Sequence, residues 1–167
     1  GHGFGGQCLV GHLAHDGGND IAAAAILSAP VRFATHRATI KRVAAIAEML
    51  PKKWRIPTHR IQELLTVAST TRDISHLSQR VEGPLARALL MDGTTDVAVE
   101  LIRQVNTWHK TGHLTDQTNR FDYLEGLSGR RERVLVVGSP SDQRCPPEDA
   151  QPVVDKLSKG YGKWLCM

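Results

Sequence analysis

The first eight residues, Gly1-His2-Gly3-Phe4-Gly5-Gly6-Gln7-Cys8, hold the densest chemistry-bearing pattern in the chain. Gly1, Gly3 and Gly6 satisfy Gly-x-Gly-x-x-Gly, a spacing that lets a turn offer backbone N–H groups to a phosphate at a helix start. A dinucleotide site of this kind needs a preceding strand, and an acidic residue closing the next strand about 20 residues on. Ser28 and Pro30 stand there instead, so the pattern is weak by itself. Two histidine pairs follow. His12 and His15 are about one turn apart, and His109 and His113 are four residues apart, spacings that can bring two imidazoles to one helix face for a metal. No Glu completes a His-Glu-x-x-His motif, because Lys110, Thr111 and Gly112 follow His109. These histidines are read as surface residues, and neither a metal nor a cofactor is expected. The three cysteines, Cys8, Cys145 and Cys166, are too far apart for a metal knuckle and odd in number. They point to a reducing, cytoplasmic setting. Cys8 is expected to be a small buried residue, and Cys145 to pack beside Pro146 and Pro147.

The elements that would position these residues can be read from periodicity. Residues Phe4 to His15 fit a helix, with Leu9, Val10, Leu13 and Ala14 on one face. Gly5 and Gly6 suit its first turn if the helix packs closely on a sheet. Ala25 to Ser28 fits a buried parallel strand, apolar on both faces, although the four alanines Ala22 to Ala25 leave a helix as the competing reading. From Arg32 to about Leu127 the pattern is mostly helical, with no clear strand. Ile40–Leu50 ends at Pro51, a helix capped by Thr58 follows, Pro84 opens another, and Asp96 caps a longer one leading to Trp108. Arg133-Val134-Leu135-Val136-Val137-Gly138 is the clearest strand, and its continuous apolarity marks it as central and parallel. Ser139 to Pro147 reads as a loop and Glu148 to Leu157 as a final short helix.

Composition narrows the classes. The 167 residues are 41% hydrophobic and 23% charged, near globular values, and would fill one ordinary core. A formal net charge of +4 and a pI near 9.2 come from scattered cations with acids interspersed. Only 5% of residues are aromatic. This is a solvated cationic surface rather than a nucleic-acid face. The longest apolar run, Ile21 to Val31, is short of the roughly 18 residues that span a bilayer, so no membrane span is expected. The start is Gly-rich and lacks the basic and apolar regions of a secretory signal. The chain opens without Met, inside its own motif, and reads as truncated there.

Two motifs carry a family resemblance. Gly1 to Gly6 resembles the Gly-x-nucleophile-x-Gly elbow of the α/β-hydrolases, with Gly3 at the nucleophile position. Val134 to Pro147 resembles that family's late strand followed by Gly-x-x-x-Asp-x-x-x-Pro, which puts Asp142 at the position of the acid that orients the catalytic His. Trp108 and Phe121-Asp122-Tyr123-Leu124 resemble the polyhydroxyalkanoate-synthase-like branch. The resemblance implies an α/β fold: a partial α/β-hydrolase-like parallel sheet with a helical cap insertion. Residues 1–34 and 128–167 would form the incomplete core and 35–127 the cap. It implies ester or thioester hydrolysis or acyl transfer, a lineage in which the nucleophile attacks an acyl carbonyl and a His takes its proton. Here Gly3 offers no side chain, and no His follows Asp142. Phe4 would still lend its N–H to an oxyanion. The expectation is therefore a chain impaired in serine-type catalysis. A non-enzymatic module for a small acyl ligand or a partner chain is the alternative. A half-sheet would also expose strand edges and the apolar face of the elbow helix, favouring self-association or a covering partner.

Overall fold

The computed structural model describes residues 1–16, 20–33, 45, 47–57, 96–142 and 145–167. It divides into two compact units. One comprises Gly1–Ala38 with Val105–Met167, the other Thr39–Gln104. The expected helices from Thr58 and from Pro84 fall outside the described residues, as does most of Ile40–Leu50, of which 47–49 are helical.

The first unit is built on a parallel sheet of β1 (Ala23–Leu27), β4 (Arg133–Gly138) and β5 (Gly162–Cys166), in the order β1-β4-β5. The register runs Ala23↔Arg133 to Leu27↔Val137, and Val134↔Gly162 to Gly138↔Cys166. β4 is thus central, as its apolar run predicts. Three of the four alanines, Ala23 to Ala25, join a strand, not a helix, because pairing with β4 overrides their intrinsic preference. That strand begins two residues before the expected start and is not buried on both faces. The pleat turns Ile26 into the core, while Ala23, Ala25 and Leu27 are exposed on the other side. β5 follows the segment expected as the final helix and is a strand the sequence reading does not include. Its Lys163 and Leu165 are exposed, so no long apolar run announces it.

Helix α1 (Phe4–Asp16) lies on the buried face of the sheet. Val10, Leu13 and Ala14 are buried with Ile26, Val134 and Val136. The apolar face of the elbow helix is therefore covered, contrary to expectation, since the sheet's own inward side chains suffice to bury it. Gly6 permits the close approach: a Cβ there would stand 2.5 Å from that of Ala29. Gly5, for which the same reason was expected, has open space.

Residues 105–127, read from sequence as part of the cap, contribute Trp108, Leu114, Leu124 and Leu127 to the core of the first unit. Helix α2 (Val99–Thr111) ends where Gly112 takes φ +79°. The Trp108 indole N–H donates to the Thr115 carbonyl (2.8 Å) inside the core. Asp122 caps α3 (Tyr123–Gly126), accepting from the N–H groups of Leu124 and Glu125. The expected final helix is two, α4 (Pro147–Ala150) and α5 (Pro152–Lys156), parted at Gln151 because Pro152 must open a new first turn.

In the second unit, β2 (Arg55–Ile56) and β3 (Val97–Ala98) pair antiparallel. The sequence reading has no strands here and starts a helix at Val97, capped by Asp96. Val97 is β-branched and pairs with Ile56, which delays α2 to Val99. Among the described residues, no helix is long and apolar enough to cross a membrane.

Candidate active site

The elbow is a backbone construction. His2 bridges to Leu27 as a parallel partner, the Leu27 N–H donates to the Gly1 carbonyl (2.9 Å), and the Gly3 N–H donates to the Leu27 carbonyl (3.0 Å). Residues 1–3 thus run beside β1. The chain then reverses: the Gly3 carbonyl accepts from the N–H groups of Gly6 (3.0 Å) and Gln7 (3.1 Å), starting α1. Gly3 makes the corner at φ +53°, a left-handed conformation that costs an L-residue roughly 1–2 kcal/mol. Nothing stands within 4 Å of the position a Gly3 Cβ would take. A side chain there would project into open space, as an attacking group must.

Phe4, the first helical residue, has no intrahelical acceptor for its N–H. Among the described residues that N–H has no acceptor, and it lies at the positive end of α1. The Phe4 ring is half exposed beside it. Gln7 locks the base of the elbow. It is buried, and its side-chain amide donates to the Pro30 carbonyl (2.8 Å). The sequence reading overlooks Gln7. The available signal is its place on the same helical face as Val10 and Ala14, where a polar residue must find a partner.

Asp142 lies four residues beyond β4. Its N–H closes a turn on the Ser139 carbonyl (3.1 Å), and its carboxylate accepts from the Cys145 N–H (3.1 Å). Gly3, Leu27 and Val137 follow one another across the sheet. With strands about 4.8 Å apart, the elbow and the end of β4 are on the order of 10 Å from each other. Both stand at the carboxyl edge of the parallel sheet, where open α/β folds place their ligands. Cys166 reaches the same edge, paired with Gly138.

The other candidates disperse. Cys8 is exposed, not buried, because α1 turns Gln7 and Val10 rather than Cys8 toward the sheet. Cys145 is buried in the core. His12 meets Asp20 (3.2 Å), and His15 packs on the Phe121 ring. His109 packs edge-on against Phe33, whereas His113 pairs with Asp122 (2.7 Å). Neither histidine pair converges, and the described residues contain no cluster able to hold a metal. Two shifted groups lie near the C-terminal half of α1. The Thr118 hydroxyl, then backbone N–H groups, hold the Asp116 carboxyl below its usual value. Burial, then the charges of Asp116 and Cys8, push the Tyr123 hydroxyl up.

No family model and no curated protein matches the chain. Solved structures do match its fold. A monoacylglycerol lipase from Paleococcus ferrophilus superposes with a TM-score of 0.61 at 12% identity, over 100% of this chain and 56% of the lipase. An α/β-hydrolase enzyme from a Medee basin deep-sea metagenome library gives 0.53 at 13% identity, over 100% and 55%. A hydrolase from Oleispira antarctica gives 0.52 at 13%, over 100% and 55%. The chain spans just over half the length of these proteins. Its three-stranded parallel sheet and its helices match that part of the α/β-hydrolase fold.

Proposed function

We propose that this chain derives from an ester or thioester hydrolase or acyltransferase whose elbow survives without its nucleophile. The observation that carries the reading is Gly3: a left-handed corner at a strand-to-helix turn, with open space in front of it and beside it the Phe4 N–H, which no described residue accepts. Asp142, two strands away at the same sheet edge, takes the place of the acid that orients a catalytic His. Phe4 takes the place of an oxyanion donor. The likeness to polyhydroxyalkanoate synthases rests on Trp108 and Phe121–Leu124. A reducing, cytoplasmic setting is supported by three free cysteines. A covering partner or a second copy is supported by Leu27 and Leu165, each 40% exposed.

The test is hydrolysis of a short-chain p-nitrophenyl ester. The chain as it stands should release p-nitrophenolate at the buffer rate. Turnover that survives Asp142→Ala would remove the site assignment. Gly3→Ser should lower stability by about 1–2 kcal/mol through its backbone alone, read as a drop in denaturation midpoint. An ester rate above background in that variant would show that the corner supports attack by a side chain even without a histidine base.

A second reading is favoured by Phe4 and Leu27. These two exposed apolar side chains flank the corner, and binding an acyl group needs shape and apolar contact, not a nucleophile. A fatty acid that raises the melting temperature without any ester turnover would support that module.

A further inference from the structure

A second exposed turn, in the unit Thr39–Gln104, has the opposite character to the elbow. Met49 is 87% exposed and Trp54 is 57% exposed. Pro51, Lys52 and Lys53 between them are exposed, as is Arg55. Single exposed apolar residues are ordinary. Here, however, the turn that presents them is held from both sides. The Trp54 N–H closes it on the Pro51 carbonyl (3.0 Å). Upstream, the Arg103 guanidinium donates to the carbonyls of Ala47, Glu48 and Leu50 (3.0, 3.0 and 2.9 Å) and lies 3.7 Å from the Glu48 carboxylate. Downstream, the Trp54 carbonyl accepts from the Val99 N–H (3.0 Å), and Arg55 and Ile56 pair with β3. Ala47 and Val99 are fully buried beneath it. The exposure is built in, not the product of slack.

Charge completes the pattern. Lys52 and Lys53 make no ion pair among the described residues. The nearest acid in sequence, Glu48, already faces Arg103. An indole prefers the boundary between headgroups and acyl chains, a thioether and a proline ring can enter the acyl region, and lysines meet anionic phosphates. A nucleic acid would need further aromatic rings to stack on, and Met49 and Pro51 supply none. We propose that the Met49–Arg55 turn docks this protein onto an anionic phospholipid surface. The proposal does not depend on the elbow reading.

The experiment is co-sedimentation of the full chain with vesicles of phosphatidylcholine alone and of phosphatidylcholine mixed with phosphatidylserine. Binding should require the anionic lipid and weaken as salt rises. Lys52→Glu with Lys53→Glu should lower the partition coefficient about tenfold or more, since each cation near such a surface contributes on that scale. Met49→Ser with Trp54→Ser should lower it similarly, whereas Met167→Ser, at an exposed methionine of the other unit, should not. Circular dichroism verifies the fold of each variant. Equal binding to both vesicle types, or binding untouched by either double variant, would overturn the proposal. So would retention on polyglutamate or heparin with no vesicle binding, which would assign the turn to an acidic polymer. Where a double variant does not fold, fluorescence decides. Spin-labelled lipid should quench the intact protein and quench Trp54→Phe much less, and an intact protein that is not quenched overturns the idea.

Discussion

The elbow at Gly1–Gln7 and the turn at Met49–Arg55 are both rigid reversals, but they are rigid for different reasons. The elbow is fixed by main-chain hydrogen bonds to Leu27 and by one close helix approach at Gly6. It turns a left-handed corner at Gly3 and presents no side chain there. The turn is fixed by a side chain, Arg103, reaching three carbonyls. It presents a methionine, an indole and three cations, with no pattern of catalytic residues. Scaffold geometry and side-chain content are separable, and function must be argued from the second.

Three substitutions sharpen this contrast. The largest effect is expected at Gly6. Gly6→Val puts branched carbon where even a Cβ meets Ala29 at 2.5 Å. Overpacking of this kind costs typically 1–3 kcal/mol and sometimes more, so chemical denaturation should show a loss of about 3 kcal/mol or an unfolded chain. A loss under about 1 kcal/mol would mean that α1 is free to retreat from the sheet. Next comes Arg103→Met, which keeps much of the stem and removes the guanidinium. Three carbonyls, two of them part-buried, lose a charged donor, and about 1.5–3 kcal/mol should go with it. Faster amide exchange should be confined to 47–54 and β2, leaving the elbow unchanged; uniform loosening of both turns would erase the distinction between them. The smallest effect is at Asp116. Its carboxyl is held below the ordinary value chiefly by the Thr118 hydroxyl. It therefore contributes stability at pH values above the ordinary carboxylate range, and that contribution disappears as pH falls through the depressed pKa. Asp116→Asn should flatten the acid limb of the melting-temperature profile below about pH 4 and leave both turns untouched.

Much of the first unit was legible in the sequence because its signals are strong and local. Phe4–His15 has a helical apolar face, and Arg133–Gly138 is a continuous apolar run between charges and Gly. Both appear within a residue of the expected bounds. Short elements were not legible. β5 is five residues with Lys163 and Leu165 outward, and β2 and β3 are two residues each. Nothing in such stretches is periodic; pairing with a distant partner makes them strands. The same cause moved the start of α2 from Val97 to Val99. The Gly-rich corner at Gly3 and the loop that holds Asp142 both stood out as motifs, and both stand at the same end of the sheet. Gln7 was not legible, because its importance lies in reaching the Pro30 carbonyl, a contact that only the folded chain creates.

The pairing of β1 with β4 has one more consequence, for the way the chain reaches this structure. Ala23 and Arg133 are about 110 residues apart in sequence, whereas Val134 and Gly162 are about 28 apart. Loop-closure entropy grows only logarithmically, so doubling the longer connection would cost roughly 0.6 kcal/mol. The equilibrium fold is therefore tolerant of the length of what lies between β1 and β4. Its kinetics are less tolerant, because distant parallel pairing is slow. The β4–β5 ribbon has the shorter search and β1 the longer one. Gly3 hangs from β1, so the corner at Gly3 depends on the pairing with the longer search.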